Sequence, residues 1–217
     1  MLHIHQLDFD TAGMELRQDD DGCRFWVAPG PALVQLTLVT PTDFSCDLRN
    51  PAGFHEELKK QAQRMGSALI HCDFIERQGL GAVCLISKFW SAPAPEDPNM
   101  GKDYNGALIF PLAEGCFYIR VAAREQGTTG VRESVVTMLL HKQGKLALPK
   151  AAHAAADSDG LGAALKKQTL APSPSDDEEY DVHFPEHALT RVRRLLRHIG
   201  TTLTVAPELK EARPYRV

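Results

Sequence analysis

Charged residues of both signs crowd one short stretch of the sequence, where a strand-like pattern gives way to a helical one. Arg120 lies within the strand-like part, and Arg124 and Glu125 follow at its end. Arg132 stands in the first turn of the helical part. A strand end, a Gly/Thr turn and a helix N-terminus together can bind an anion. Charges at the ends of elements are more often paired or solvated, so we favour structural ion pairs and keep an anion site as the alternative.

The first residues of the chain have a spacing that can chelate a metal. His3 stands third from the α-amine, where the amine, two amide nitrogens and the imidazole can surround Cu(II) or Ni(II) in a square plane. His5 could add a further ligand. An accidental spacing in a first strand is the favoured interpretation, so we predict no metal and no cofactor.

Motifs for covalent or metal-dependent catalysis are incomplete in this sequence. His71 and Cys72 are consecutive on a predicted strand, so their side chains point to opposite faces and cannot form a base–nucleophile pair. Lys59 replaces the second histidine that an HExxH zinc site requires. There is no CxxC pair, P-loop or GxSxG elbow. We therefore predict a protein that is not an enzyme, with five reduced, mostly buried cysteines.

The composition is that of a soluble globular protein. The 217 residues are 43% hydrophobic and 24% charged, with a net charge of −4, which gives no general attraction to nucleic acid or to an anionic membrane. A basic helix, RVRRLLRH, follows an acidic run and is not expected to bind nucleic acid. No apolar run reaches the roughly 20 residues that span a bilayer, and the start shows no export signal. We expect a cytoplasmic protein with no membrane contact.

Apolar residues alternate with polar ones in a series of segments that predict β-strands. Short turns at 77–79 and 113–115 join two pairs of them, and strands this close along the chain must be antiparallel. The predicted strands cover residues 23–29, 32–39, 68–76, 82–90, 105–112 and 116–123.

Two helices interrupt the strands. The first begins at Asn50-Pro51, a capping residue followed by proline, and ends at Gly66. The second begins near residues 128–130, and its spacing predicts a buried stripe of Val131, Val135, Met138 and Leu139. The sequence therefore predicts an α+β fold, a mostly antiparallel sheet flanked by helices, with a C-terminal helical extension.

The C-terminal third differs in composition from the rest. We predict an α+β sandwich domain over 1–147, an Ala/Pro/acidic linker over 148–180, and an amphipathic helix with a tail over 181–217. The helix carries an apolar stripe that must be buried on its own sheet or on a neighbouring chain. We favour its own sheet, and expect a monomer or a homodimer. The stripe consists of Ala188, Val192, Leu195, Leu196 and Ile199.

The order of elements resembles the PsbP-like α/β/α sandwich superfamily, and within it the bacterial DcrB-like proteins. The resemblance covers roughly residues 20–143 and is carried by LVQLTLVTP, by NPAGFHEELKKQAQRMG, and by ALIFPLAEGCFYIRVAA leading into GVRESVVTMLL. The acidic linker and the FPEHALTRVRRLLRH helix lie outside it. The resemblance implies a protein-binding module without catalytic residues, such as a cytoplasmic chaperone or accessory protein of a bacterial type VI secretion system.

These observations predict a cytoplasmic binding or adaptor protein with a protein partner. The candidate binding residues are those of the charged stretch and of the helix stripe: Arg120, Arg124, Arg132, Val192, Leu195, Leu196 and Ile199. The alternative is an enzyme that binds an anion or a small metabolite in the region of the three arginines.

Overall fold

A computed structural model describes residues 2–39, 50–91, 101–146 and 170–212 of the chain. Most strands form one seven-stranded antiparallel sheet with the order β2-β3-β4-β8-β7-β6-β5. A separate pair, β1 and β9, joins the two ends of the described chain. The strands are β1 Leu7–Asp8, β2 Glu15–Asp19, β3 Cys23–Ala28, β4 Ala32–Val39, β5 Ser67–Arg77, β6 Leu80–Trp90, β7 Lys102–Leu112, β8 Gly115–Arg124 and β9 Thr204–Val205.

Within the described ranges, four α-helices accompany the sheet, and three 3₁₀ turns lie at Ile4–Gln6, Pro174–Asp176 and Glu178–His183. The first helix begins where the sequence predicts, because the Asn50 side chain accepts a hydrogen bond from the Gly53 N–H at 3.0 Å. The predicted α+β class, a mostly antiparallel sheet with flanking helices, is confirmed. The helices are α1 Pro51–Arg64, α2 Val131–Lys142, α3 Ala188–Thr202 and α4 Pro207–Lys210.

The turn between β5 and β6 shows how local sequence fixes strand pairing. Gln78 and Gly79 have φ angles of 53° and 82°, which suits a two-residue turn whose twist matches that of the flanking strands. The register then runs from Arg77 opposite Leu80 back along both strands. The turn predicted at 77–79 therefore determines how the edge strand β5 pairs with β6.

The main core lies between one face of the sheet and α3. Val192 and Ile199 of α3 are fully buried, and they belong to the same core as Phe117, Ile119 and Val121 of β8. Four such apolar side chains contribute on the order of 6–10 kcal/mol through burial, before the entropy cost of ordering them. The helix thus packs on the chain's own sheet, the arrangement that the sequence favours.

A smaller core lies on the opposite face, beneath α1. Phe54 is 3% exposed and packs edge-on against Phe74 of β5, with ring centroids 5.2 Å apart. Val83, Ile109 and Cys116 complete this cluster from three further strands. The sheet is therefore covered on both faces at this end.

The predicted buried stripe of α2 is wrong. Val131, Val135, Met138 and Leu139 are 37–57% exposed, and the buried side consists of Arg132, Val136 and Leu140. The Arg132 guanidinium donates to the backbone carbonyl oxygens of Ser175 and Asp177. Because these bonds fix the rotation of the helix, the residues one and two turns after Arg132 face inward with it.

Part of the segment assigned to the linker packs against the body of the protein. Residues 170–180 are described and include the 3₁₀ turn at Pro174–Asp176, where Ser175 and Asp176 are buried. Residues 148–169 lie outside the described residues. None of the helices in the described ranges is long and apolar enough to cross a membrane.

Candidate protein-binding surface

The two faces of the large sheet are covered to different extents. α3 packs along the central strands β7 and β8 on one face. On the other face α1 lies chiefly against β5, and the far side of that face has apolar side chains open to solvent. Leu33 and Val39 of β4 are 43% and 44% exposed there. Among the described residues, this second face therefore exposes apolar side chains that α1 does not cover.

A groove of about 700 Å³ runs between α1 and the uncovered part of the sheet. Its walls are mainly apolar, and the aromatic side chains Phe89 and Tyr118 belong to them. Polar groups are few and include Gln61, Ser87 and Asn105. The apolar walls are formed by Leu58 and Met65 of α1 and by Leu69, Leu85, Phe89 and Tyr118 of the sheet.

The groove follows from the way α1 packs. Its first turns are anchored by Phe54, while Met65 at its C-terminus is 75% exposed. The helix then ends at Gly66, which has a φ of 69°, a conformation that glycine adopts without strain. The chain therefore enters β5, the edge strand of the sheet, immediately after the helix. The space between the second half of α1 and the neighbouring strands stays open.

The polar groups that line the groove are uncharged side chains. Burial raises the pKa of the Tyr118 phenol, so this hydroxyl stays protonated at neutral pH. Asn105 holds the Arg120 guanidinium through a 3.1 Å hydrogen bond. Such a wall offers hydrogen bonds and apolar contact without a strong net charge.

The three arginines singled out by the sequence lie on both faces of the sheet. Arg120 and Arg124 share the α1 face of β8, because they alternate with Ile119 and Val121, which face α3. Arg124 donates to Asp103 at 2.9 Å and to Ser91 at 3.1 Å. Arg132 lies on the α3 side, so the structure does not bring the three guanidinium groups to one site.

Arg132 is held entirely within the protein. It is 1% exposed, and it donates to Thr190 Oγ1 at 3.0 Å and pairs with the Asp181 carboxylate at 2.8 Å. It also donates to the carbonyl oxygens of Ser175 and Asp177. Four of the five N–H groups of this buried guanidinium therefore have partners within the protein, as expected of a structural residue.

A second group of charges surrounds the start of α2 and joins Glu125 of the charged stretch to residues that the sequence did not connect with it. Glu125 accepts from the Lys102 N–H at 3.0 Å and lies 3.1 Å from His187 Nε2. His187 Nδ1 accepts from the Leu189 N–H, so Nε2 carries the proton in the neutral ring. Lys102 also pairs with Glu133. The partners are far apart in sequence, and no local spacing pointed to them.

The stripe on α3 is occupied by the protein's own core. Val192, Leu196 and Ile199 are 0%, 5% and 0% exposed, and Leu195 is partly buried against the same cluster. These four candidate binding residues therefore face the sheet of their own chain. Among the described residues, the α1 face offers exposed apolar side chains to a partner. The sequence nominated Arg120 and Arg124 on this face, but none of the residues that line the groove.

The described cysteines are free and poorly suited to nucleophilic attack. Cys23, Cys72 and Cys84 are half-buried and Cys116 is buried. Burial raises the pKa of Cys84 and of Cys116 to about 11, so both thiols stay protonated at neutral pH. Cys46 lies outside the described residues.

Metal-binding geometry is absent from the described ranges, which contain no group of three or more His, Cys, Asp or Glu side chains that could hold an ion. His3 and His5 are exposed at the first 3₁₀ turn, and the His3 backbone N–H donates to Gln6 Oε1 at 2.8 Å.

The fold and this surface define an α+β protein built on a large antiparallel sheet. Solved structures with similar coordinates include the Saccharomyces cerevisiae Ran-binding protein Mog1p, with 10% identity, a TM-score of 0.45, and coverage of 94% of this chain and 93% of that chain. A point mutant of Mog1 gives the same identity and TM-score, with 94% of each chain covered. A similarity this low does not define the function of this chain. No protein-family model matches the sequence, and no curated protein matches it significantly.

Proposed function

We propose that this protein is a non-catalytic binding protein whose partner is another protein, and that the groove beside α1 receives apolar side chains of that partner. The observation that carries the proposal is an open groove with apolar and aromatic walls, which the described residues do not fill. Buried aromatic and aliphatic anchors contribute most of the affinity in protein interfaces. Each such side chain contributes roughly 1.5–3 kcal/mol when it is fully buried.

The surroundings of the groove favour a macromolecule over a small metabolite. Leu33 and Val39 of β4 are exposed on the same face, with Gln35 and Thr37 between them, so further apolar contacts are available outside the groove. Small-molecule sites are concave and bury most of the surface of their ligand. Here the groove is open to solvent along the sheet, which suits a partner with its own folded surface or an extended segment.

The alternative, an enzyme for an anion or a metabolite, finds less support. Its three arginines lie on opposite faces of the sheet, and each already has a carboxylate or amide partner. An anion that raised the melting temperature of the parent protein, but not that of Arg124→Ala, would favour this alternative.

The narrower proposal comes from the resemblance to PsbP-like and DcrB-like proteins. It states that this chain is a cytoplasmic chaperone or accessory protein of a bacterial secretion system. Its support is the order of strands and helices in residues 20–143, a pattern of sequence and not of site chemistry. The identity of the natural partner tests it directly, because a secreted effector would support the narrower proposal and any other protein would contradict it.

The test begins with the tagged full chain purified from its native cells, with stoichiometric partners identified by mass spectrometry and then purified. Binding of that partner is measured by calorimetry for the parent, for Met65→Glu and for Met138→Glu. Met65 lines the groove, whereas Met138 is 57% exposed on α2 and does not line it.

We expect Met65→Glu to weaken binding at least tenfold, because the new carboxylate must lose water on entering an apolar contact. Met138→Glu should bind like the parent. Equal affinity for all three chains would show that the groove is not the binding site, and the lack of any stoichiometric partner would contradict the proposed function itself.

A further inference from the structure

The free edge of β5 is a surface that the proposed function does not use. The sheet ends at β2 on one side and at β5 on the other. β2 has five residues, all exposed, with an irregular register, which are the features that protect a sheet edge from pairing. β5 has eleven residues and a regular register from His71 to Arg77. It therefore presents a long template for another strand.

The turn beside β5 shows which backbone groups point outward. In a two-residue hairpin the residues flanking the turn form a hydrogen-bonded pair, and pairs alternate from there. Arg77, Ile75 and Asp73 accordingly bond to β6, while Glu76 and Phe74 direct their N–H and C=O groups away from the sheet. No residue in the described part of the chain forms a backbone hydrogen bond with these outward groups.

The side chains on this edge form a self-complementary pattern. Asp73, Ile75 and Arg77 project to the same face, since alternate residues of a strand share a side. Asp73 forms no ion pair with any described residue. Arg77 donates from Nη1 to the Glu76 carbonyl oxygen at 2.8 Å and lies beside Gly200 of α3, and it forms no ion pair with any described residue. An acid and a base therefore flank an isoleucine at equal distances along one strand.

We propose that two copies of this chain pair through β5, antiparallel across a two-fold axis that passes through Ile75. In this register Phe74 exchanges hydrogen bonds with Glu76 of the second copy, in both directions. Asp73 of each copy lies opposite Arg77 of the other, so two ion pairs flank the central isoleucines. The seven strands of each copy then continue as one sheet across the axis.

The charges of Asp73 and Arg77 favour this register over the registers with the axis at a nearby residue. An axis through Asp73 would place two carboxylates opposite each other, and an axis through Arg77 would do the same with two guanidinium groups. Like charges directly opposite destabilise a strand pair, whereas opposite charges stabilise it. An axis through Phe74 would leave Asp73 facing an isoleucine. Only the axis at Ile75 pairs both charges with their opposites.

Charge exchange tests this register in solution. Masses are measured by light scattering and sedimentation for the parent, Asp73→Arg, Arg77→Asp and the double variant. We expect a parent dimer that dissociates on dilution, and single variants that are monomeric because each sets like charges face to face. The double variant restores opposite pairs and should regain the dimer. A parent that is monomeric at all concentrations, or a double variant that stays monomeric like the singles, would overturn the proposal.

Cross-linking tests the position of the axis independently of charge. Directly opposed residues of a non-hydrogen-bonded antiparallel pair have Cα atoms about 4.5 Å apart, within the roughly 4.4–6.8 Å that a disulfide bridges. Ile75→Cys should therefore form a covalent dimer under mild oxidation. Asp73→Cys is the matched control, because the proposed register places its two copies far apart. Covalent dimers in the control or the parent, or none with Ile75→Cys, would contradict this register.

This interface is separate from the α1 groove, and the two tests use different residues and different readouts. Loss of partner binding in Met65→Glu would leave the mass of the assembly unchanged. Failure of either proposal therefore leaves the other standing.

Discussion

The charged residues near the start of α2 illustrate how much a single side chain's neighbours decide. Arg132 stands in the first turn of a helix, a position where sequence suggests either an anion site or solvent. In the structure it is 1% exposed and is bonded to a carboxylate, a hydroxyl and two backbone carbonyls. A buried guanidinium is stable only with such a full set of partners. Arg132 is therefore a structural residue that joins α2 to the C-terminal segment.

The lowered pKa of Glu133 makes the free energy of unfolding depend on pH in the acidic range. Burial raises its pKa, but the charge and hydrogen bond of the Lys102 ammonium, its own backbone N–H and His187 together lower the pKa more. The pKa therefore lies below its ordinary value of 4.5. A carboxyl group with a lowered pKa contributes stability that is fully present above 4.5 and is lost as pH falls through the folded-state value. We expect Glu133→Gln to be less stable than the parent at neutral pH and to lose less stability on acidification.

Urea unfolding of both chains at several values between about pH 3 and pH 6 measures this difference. Glu186→Gln is the control: its carboxylate pairs with Arg191 but is 72% exposed, so water and salt weaken its effect. A free-energy gap between parent and Glu133→Gln that stayed constant over this range would exclude the Lys102–Glu133 pair as a source of acid sensitivity.

At the scale of elements, only α2 of the two helices α2 and α3 departs from a simple amphipathic description. α3 buries the stripe that its spacing predicts, because the central strands β7 and β8 offer a matching apolar face. α2 instead exposes its predicted stripe, because a buried arginine and the 3₁₀ segment fix its rotation. Apolar periodicity orients a helix only where apolar packing is its main contact.

The contact between α3 and the sheet predicts a steric effect at Gly106 of β7. A Cβ atom there would lie 2.4 Å from Leu196 Cδ1 and 2.7 Å from Val192 Cγ1. Gly106→Ala should therefore force α3 to shift and lower the free energy of unfolding by about 1–3 kcal/mol, against the general preference of strands for alanine over glycine.

Gly81→Ala in β6 is the matched control, because nothing lies within 4 Å of the added Cβ. Chemical denaturation should give a lower free energy of unfolding for Gly106→Ala than for Gly81→Ala. Equal stabilities would mean that α3 does not sit directly on β7, and would contradict the docking of this helix.

At the scale of the molecule, a buried ion pair ties the sheet to the C-terminal part of the chain. Lys88 Nζ of β6 donates to Asp176 Oδ2 at 2.6 Å, and both side chains are at most 5% exposed. Ser173 also donates to the same carboxylate oxygen through its N–H, at 2.8 Å. The partners are 88 positions apart, so the residues around 173–181 belong to the packed body that the sheet organises.

Breaking this pair on one side should be far more costly than removing both charges. Lys88→Met leaves the Asp176 carboxylate buried without its cation, which we expect to lower stability by about 3–5 kcal/mol. In Lys88→Met/Asp176→Asn the charge is gone and the amide oxygen still accepts from Ser173, so most of the loss should be recovered. A double-mutant cycle by urea denaturation measures the coupling, and additive losses would contradict a desolvated pair.

The sequence by itself determined the elements that depend on local rules. Alternation placed the strands from Cys23 to Arg124, the Asn50 cap and Pro51 placed α1, and the short turns made neighbouring strands antiparallel. The stripe of α3 predicted a buried helix for the same reason. These features follow from hydrogen bonds and packing between residues close in the chain, which spacing records directly.

Only the tertiary structure decided which surfaces remain open and which charges meet. The α1 groove arises because the second half of one helix does not close onto a sheet whose strands come from distant segments. The pairs Lys88–Asp176 and Glu125–His187 join residues 88 and 62 positions apart. The groove and these pairs do not follow from local spacing, because the packing of distant elements determines which residues are buried and which meet. A candidate binding site of this kind can therefore be recognised only in the folded structure.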